Sequence, residues 1–235
     1  MNKLQPLHEA LIYVEEKQAV KLEAFNDWGK NAARGIVGKM EAMGLVERFN
    51  NNSTKMIKLS QSGYDFLNSL LDSLHNNVIH WNGKWTIVWF SVSEKKRSNR
   101  DRLRRYLELI GMRPILNSLW ISPLVLSSVV LSKAKKLNLL ENVAIVETNS
   151  ILGISKEDIL KSWDFKTSKS LFYEFIDKYS TIKFENLDSF TAKKIIFEYA
   201  LILKREPKLP IELYPADWPR FRADQIYKKI KKQIS

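Results

Sequence analysis

Asn31 and Arg34 stand about one helical turn apart, and both residue types can read DNA base edges. Arginine can bond guanine O6 and N7 together, and asparagine can do the same to adenine N6 and N7. The helix that would carry them is capped by Asn26 or Asp27 and runs to about Met43. Ala33, Ile36, Val37 and Met40 form its apolar stripe. Lys30, Asn31, Arg34, Gly38 and Glu41 fall on the opposite face, with Lys39 at the flank, where phosphate contact is the natural use. Gly35 and Gly38 each lower helix propensity, by about 1 kcal/mol relative to Ala. Close approach of DNA or of a neighbouring helix would explain them. A solvated polar face is the other reading of Lys30 and Arg34.

The densest basic cluster is Lys95, Lys96, Arg97, Arg100, Arg102, Arg104 and Arg105. Three uses fit it. Lys95, Lys96, Arg97, Arg100 and Arg104 could meet the DNA backbone; Asp101 could pair Arg105 at i,i+4 on a solvated helix; or the arginines could pack on acids elsewhere, such as Glu15 and Glu16. Net charge is +12, and its distribution is uneven. Residues 1–80 carry nine Lys/Arg and nine Asp/Glu, residues 81–150 twelve against five, and residues 151–235 seventeen against twelve. The middle is the most basic, which points to a polyanionic partner.

Other chemistries find no support. There is no cysteine, so disulfides, Cys-ligated zinc and thiol nucleophiles are excluded. His8, His75 and His80 lack metal-ligand spacing, and no Gly-rich phosphate loop occurs. No catalytic residue, metal or cofactor is therefore expected. The opening MNKLQPLHEALIYVEEK is charged too early for a secretory signal, and the most apolar run, residues 118–132, is too short to span a bilayer. A cytoplasmic protein without a membrane partner is expected.

Three segments position these residues in an α+β chain. In residues 1–78, Leu4, Leu7, Leu11 and Val14 predict a helix, residues 20–25 a short second one, and residues 46–49 and 55–59 two strands around an Asn-rich tip. A last helix carries Tyr64, Phe66, Leu67, Leu70, Leu71 and Leu74. Three helices and then a hairpin make a winged helix-turn-helix, with Asn51, Asn52 and Lys55 offered for minor-groove or phosphate contact. Residues 79–150 read as strand 85–92, helix 96–110, strand 112–121, helix 124–137 and strand 143–147, a ferredoxin-like domain. Residues 151–235 read as a helical C-terminal domain, whose aromatic residues recur at core spacing.

Gly44-Leu45-Val46 and Leu59-Ser60-Gln61-Ser62-Gly63 suit the winged-helix family. The stretch from Trp81 to Pro123 is more specific: Trp85, Phe90-Ser91-Val92, Glu94, Arg97, Arg100, Leu103-Arg104, Leu107, Gly111 and Leu119-Trp120-Ile121-Ser122-Pro123. With Glu206-Pro207 and the later Asp217-Trp218-Pro219, it resembles the PaaX family of phenylacetic-acid-degradation repressors. Ser93 stands where that family has proline, and Arg220 where it has glycine; Glu206 and Tyr214 also depart from its usual residues.

The resemblance implies a non-enzymatic transcriptional repressor. A homodimer formed through residues 79–235 would bind a pseudo-palindromic double-stranded DNA operator and be released by an acyl-CoA effector such as phenylacetyl-CoA. No residue here identifies the effector pocket. The family's central domain is similar in fold to the small ferredoxin-like nuclease of CRISPR spacer acquisition, which keeps a metal-binding aspartate where this chain has Ser91. A metal-dependent nuclease or CRISPR accessory is the alternative, and a protein-binding adaptor a third.

Overall fold

A computed structural model describes residues 4–28, 30–75, 78–183 and 187–233, with backbone alone for residues 26–28 and 30–33. The chain divides into two compact units. One comprises Met1–Asn76, Lys169–Arg205 and Pro219–Ser235; the other comprises Asn77–Ser168 and Glu206–Trp218.

In the first unit, α1 (Pro6–Lys17) opens on proline, whose fixed φ and missing N–H suit a first helical turn. The backbone N–H of Gln5 donates to His8 Nδ1 at 3.2 Å and closes that turn. The short helix expected at residues 20–25 is instead strand β1 (Val20–Lys21) followed by a 3₁₀ turn, Leu22–Trp28. Cross-strand pairing overrides local preference there, because Val20 and Lys21 lie opposite Ile57 and Met56. Helix α2 (Lys30–Ala42), strands β2 (Val46–Asn51) and β3 (Thr54–Leu59), and helix α3 (Gln61–Leu71) follow, with sheet order β1-β3-β2. The hairpin is longer than expected. Asn51 pairs with Thr54, and the turn is only Asn52-Ser53, with φ of 44° and 64°. Positive φ at both central residues matches the strands' right-handed twist, and asparagine tolerates it.

Helices α7 (Phe165–Tyr179), α8 (Ser189–Leu203) and α9 (Arg220–Lys231) belong to this unit, apart from the start of α7. Phe197 of α8 shares a buried cluster with Leu11, Phe25, Met40, Ile57 and Leu67. Lys193 Nζ lies 2.6 Å from a carboxylate oxygen of both Glu15 and Glu16, and Ser73 Oγ donates to the Ala200 carbonyl at 2.7 Å. The segment read as a third domain is thus divided between the units. Its α8 buries Ala192, Ile195, Ile196, Phe197, Tyr199, Ala200, Ile202 and Leu203, and a helix apolar on so many sides must be surrounded.

The second unit runs β4 (Trp85–Phe90), α4 (Arg97–Leu109), β5 (Arg113–Leu116), β6 (Leu119–Ser122), α5 (Ser127–Lys136), β7 (Val143–Thr148) and α6 (Lys156–Leu160). The sheet is antiparallel, in the order β5-β6-β4-β7. The single strand expected over residues 112–121 is a hairpin: Leu116 pairs with Leu119, and the register shifts between Pro114 and Leu116. Pro114 sits on the edge strand, where its missing N–H is tolerated. Val88, Phe90 and Trp120 pack with Leu103, Leu107 and Val130 of the helices. Trp85 and Ile121, on the opposite face, pack with Ile159, Trp163, Leu209 and Leu213. Among the described residues, no helix is long and apolar enough to cross a membrane.

Candidate nucleic-acid interface

Helix α2 buries Val37 and Met40 and half-buries Ile36, so its outward face is set by the sequence period. Arg34, Gly35, Gly38, Lys39 and Ala42 are exposed on it. The side chains of Lys30 and Asn31 lie outside the described residues, as do those of the expected caps Asn26 and Asp27; the backbone of Lys30 and Asn31 opens α2. Glu41 is drawn away by Arg48, which donates from Nε to Oε1 and from Nη2 to Oε2, the latter at 2.8 Å. That partner raises the Arg48 pKa and neutralises the carboxylate, which would otherwise repel phosphate. A Cβ on Gly35 or Gly38 would meet nothing within 4 Å, so no neighbouring helix accounts for these glycines. A groove of about 560 Å³ lies beside this face, lined by Gln5, Pro6, Leu7 and Glu9 with Gly35, Ile36 and Lys39.

The hairpin puts Asn51, Asn52 and Lys55 at its exposed end. Its other lysine, Lys58, faces Glu47 across the strands at 3.4 Å. His8 stacks on Phe66, and burial, with Lys39 and Lys204 nearby, pushes its pKa below the usual histidine value. His80 Nδ1 lies 2.8 Å from Glu212 Oε1. Among the described residues, no group of three His, Cys, Asp or Glu is placed to hold a metal.

The central basic run separates into two kinds of residue. Glu94 accepts from Arg97 at 3.3 Å and from Arg100 at 3.1 Å, while Asp101 lies 3.9 and 3.8 Å from the same two arginines. The expected Asp101–Arg105 pair forms only through the Asp101 backbone carbonyl, which accepts from Arg105 Nε at 3.3 Å. Arg104 lies 6.0 Å from the Trp120 ring centre. Lys95 is exposed, and Lys96 Nζ donates to the Asn138 carbonyl at 3.3 Å. Glu15 and Glu16, one expected partner set for these arginines, bind Lys193 instead. Sequence reasoning passed over Lys133, Lys135 and Lys136 at the end of α5; three lysines within four positions were the available signal. Ser91 follows β4 and is exposed, its N–H donating to the Asn142 carbonyl at 3.0 Å.

Residues 79–160 match the family model of the PaaX protein central Cas2-like domain. No curated protein matches the chain. Among solved structures, the uncharacterized protein Rv0674 from Mycobacterium tuberculosis shares the fold, with a TM-score of 0.59 and 15% identity over 100% of this chain and 98% of that one. Residues 79–160 of this chain therefore form a central domain of the PaaX, Cas2-like kind.

Proposed function

We propose that this chain is a PaaX-like transcriptional regulator that represses by binding duplex DNA. The N-terminal helices and hairpin act as a winged helix-turn-helix: α2 enters the major groove with Asn31 and Arg34 toward base edges, Lys30 and Lys39 meet phosphates, and Asn51, Asn52 and Lys55 follow the adjacent backbone. The observation that carries this reading is the outward face of α2, where Arg34 and Lys39 flank two glycines with open space above them. A face without side-chain bulk lets a backbone come close, and its cations supply the attraction.

The central βαββαβ unit is read as ferredoxin-like, and a homodimer through it would space two recognition helices on a pseudo-palindromic operator. An acyl-CoA is the effector class that the family suggests. The test is a mobility shift with DNA from upstream of the chain's own gene, repeated across salt concentrations. Saturable, salt-sensitive binding that outcompetes unrelated duplex is expected; its absence at every salt concentration overturns the reading. The nuclease alternative draws on the Cas2-like match. Ser91 opposes it, since a neutral hydroxyl is a poor ligand for Mg²⁺, which prefers carboxylate and water oxygens.

A further inference from the structure

We propose that the outer surface of α4 and α5 is a second DNA-binding surface, one that grips phosphates without reading sequence. The inference rests on the regulator reading above and adds a site to it. From Ser93 to Asn138 the chain carries eleven Lys/Arg and three Asp/Glu. The folded unit does not spread that excess evenly. Glu94 and Asp101 both pair with Arg97 and Arg100, so two carboxylates neutralise the same two arginines on one flank of α4.

The remaining cations are left without acids. Among the described residues, no carboxylate lies within 4.0 Å of Arg102, Arg105, Lys133, Lys135 or Lys136. Packing gathers them. Leu103 and Leu107 of α4, and Val130 and Ala134 of α5, turn to the core and leave the opposite sides outward. Lys133 Nζ sits 4.8 Å from the Tyr106 ring centre, which sets Lys133 on the side of α5 nearest α4. Arg102 lies one turn before Tyr106, and Lys136 one turn after Lys133, so the three share the seam between the helices. Asn99 Nδ2 donates to the Leu137 carbonyl at 3.0 Å, which pins the start of α4 to the end of α5.

The negative end of the α5 dipole accounts for lysines in its last turn. It does not account for Arg102 and Arg105, at mid-helix on α4. Like charges without an acid partner on one surface disfavour the free protein, and a row of phosphates would relieve that. Duplex DNA offers that row, and binding it releases condensed counterions.

The experiment follows full-length protein binding to a fluorescent duplex of unrelated sequence while salt is varied. Three phosphate contacts should steepen the plot of log affinity against log salt by about 2.7, from roughly 0.9 per contact. The combined variant Arg102→Gln, Lys133→Gln and Lys136→Gln should lose about two to three of that slope. Arg97→Gln with Arg100→Gln removes charge already neutralised in place and should change the slope by less than about one. A charge-keeping variant, Arg102→Lys with Lys133→Arg and Lys136→Arg, should bind as wild type does, which separates lost charge from lost structure. If wild type binds and the triple glutamine variant keeps its slope, or the Arg97/Arg100 variant loses as much, the second surface is wrong and the regulator reading stands. If wild type binds its upstream DNA but no unrelated duplex, the second surface is wrong and the regulator reading stands; if it binds neither at any salt concentration, both fail.

Discussion

Gly63 lies against the carbonyl of Leu45 so closely that a Cβ would overlap the oxygen, with Leu59 Cδ2 only 3.2 Å away on another side. The same Leu45 carbonyl accepts from Ser60 N at 3.1 Å. Ser60 Oγ accepts from Gly63 N at 3.1 Å and donates to the Gly44 carbonyl at 2.5 Å. The start of α3 is thereby seated on the link between α2 and β2. Gly63→Ala forces a backbone shift there and should destabilise the chain by about 1–3 kcal/mol, read as a lower denaturant midpoint. Gly38→Ala, which enters open space, should instead stabilise by up to about 1 kcal/mol. Equal effects of the two substitutions would contradict this placement.

For the proposed DNA contact, Arg34→Ala and Asn31→Ala should each weaken operator binding by roughly 1–3 kcal/mol while unrelated DNA is held almost as before. Lys39→Ala should weaken both alike. Titrations at one fixed salt concentration distinguish the two patterns, and unchanged operator affinity for Arg34→Ala would move the recognition face elsewhere.

Nuclease chemistry is expected to be absent. Purified protein with Mg²⁺ or Mn²⁺ should leave single- and double-stranded DNA and RNA intact on a gel. Cleavage abolished by replacing an acid of residues 79–150 would reverse this.

Stability should fall on acidification in two steps. His8 has a folded-state pKa below its ordinary 6.5, chiefly from burial, so the fold favours its neutral form. That contribution is present above about pH 6.5 and is lost as pH falls through the lower folded value. Glu16 is held below the ordinary 4.5, first by its hydrogen bond with Lys193. Its contribution is present above that ordinary value and lost as pH drops further. Denaturant melts between pH 8 and 3 should show both steps. His8→Gln should remove the upper one and leave the lower; an unchanged upper step would show that another group causes it.

A fragment ending at residue 78 should not fold stably. It lacks Phe197, the hydrogen bond from Ser73 to Ala200, and Lys193 between Glu15 and Glu16. Losing a buried aromatic from a core costs about 3–5 kcal/mol, a large part of a small domain's stability. Circular dichroism of the fragment should show a broad, shallow melt, whereas a sharp cooperative transition would mean that α8 is dispensable.

Patterns that repeat within one element were legible in the sequence. The buried stripes of α2 and α4 and the Asn-rich hairpin tip depend on residues a few positions apart. The signature around Trp85 and Trp120 was legible because its residue order is distinctive over a long stretch. Tertiary structure decided whatever depends on partners far along the chain. Residues 20–21 became a strand because β3 offered an edge, and residues 112–121 became a hairpin because Leu116 found Leu119 across a turn. Helix α8, with its neighbours α7 and α9, joins the N-terminal core, because Phe197 packs among its apolar residues. The division of the basic run was decided in the same way. Arg97 and Arg100 sit where Glu94 and Asp101 can reach them, and Arg102 and Lys133 do not, because charge pairing follows distance in space, which composition does not encode.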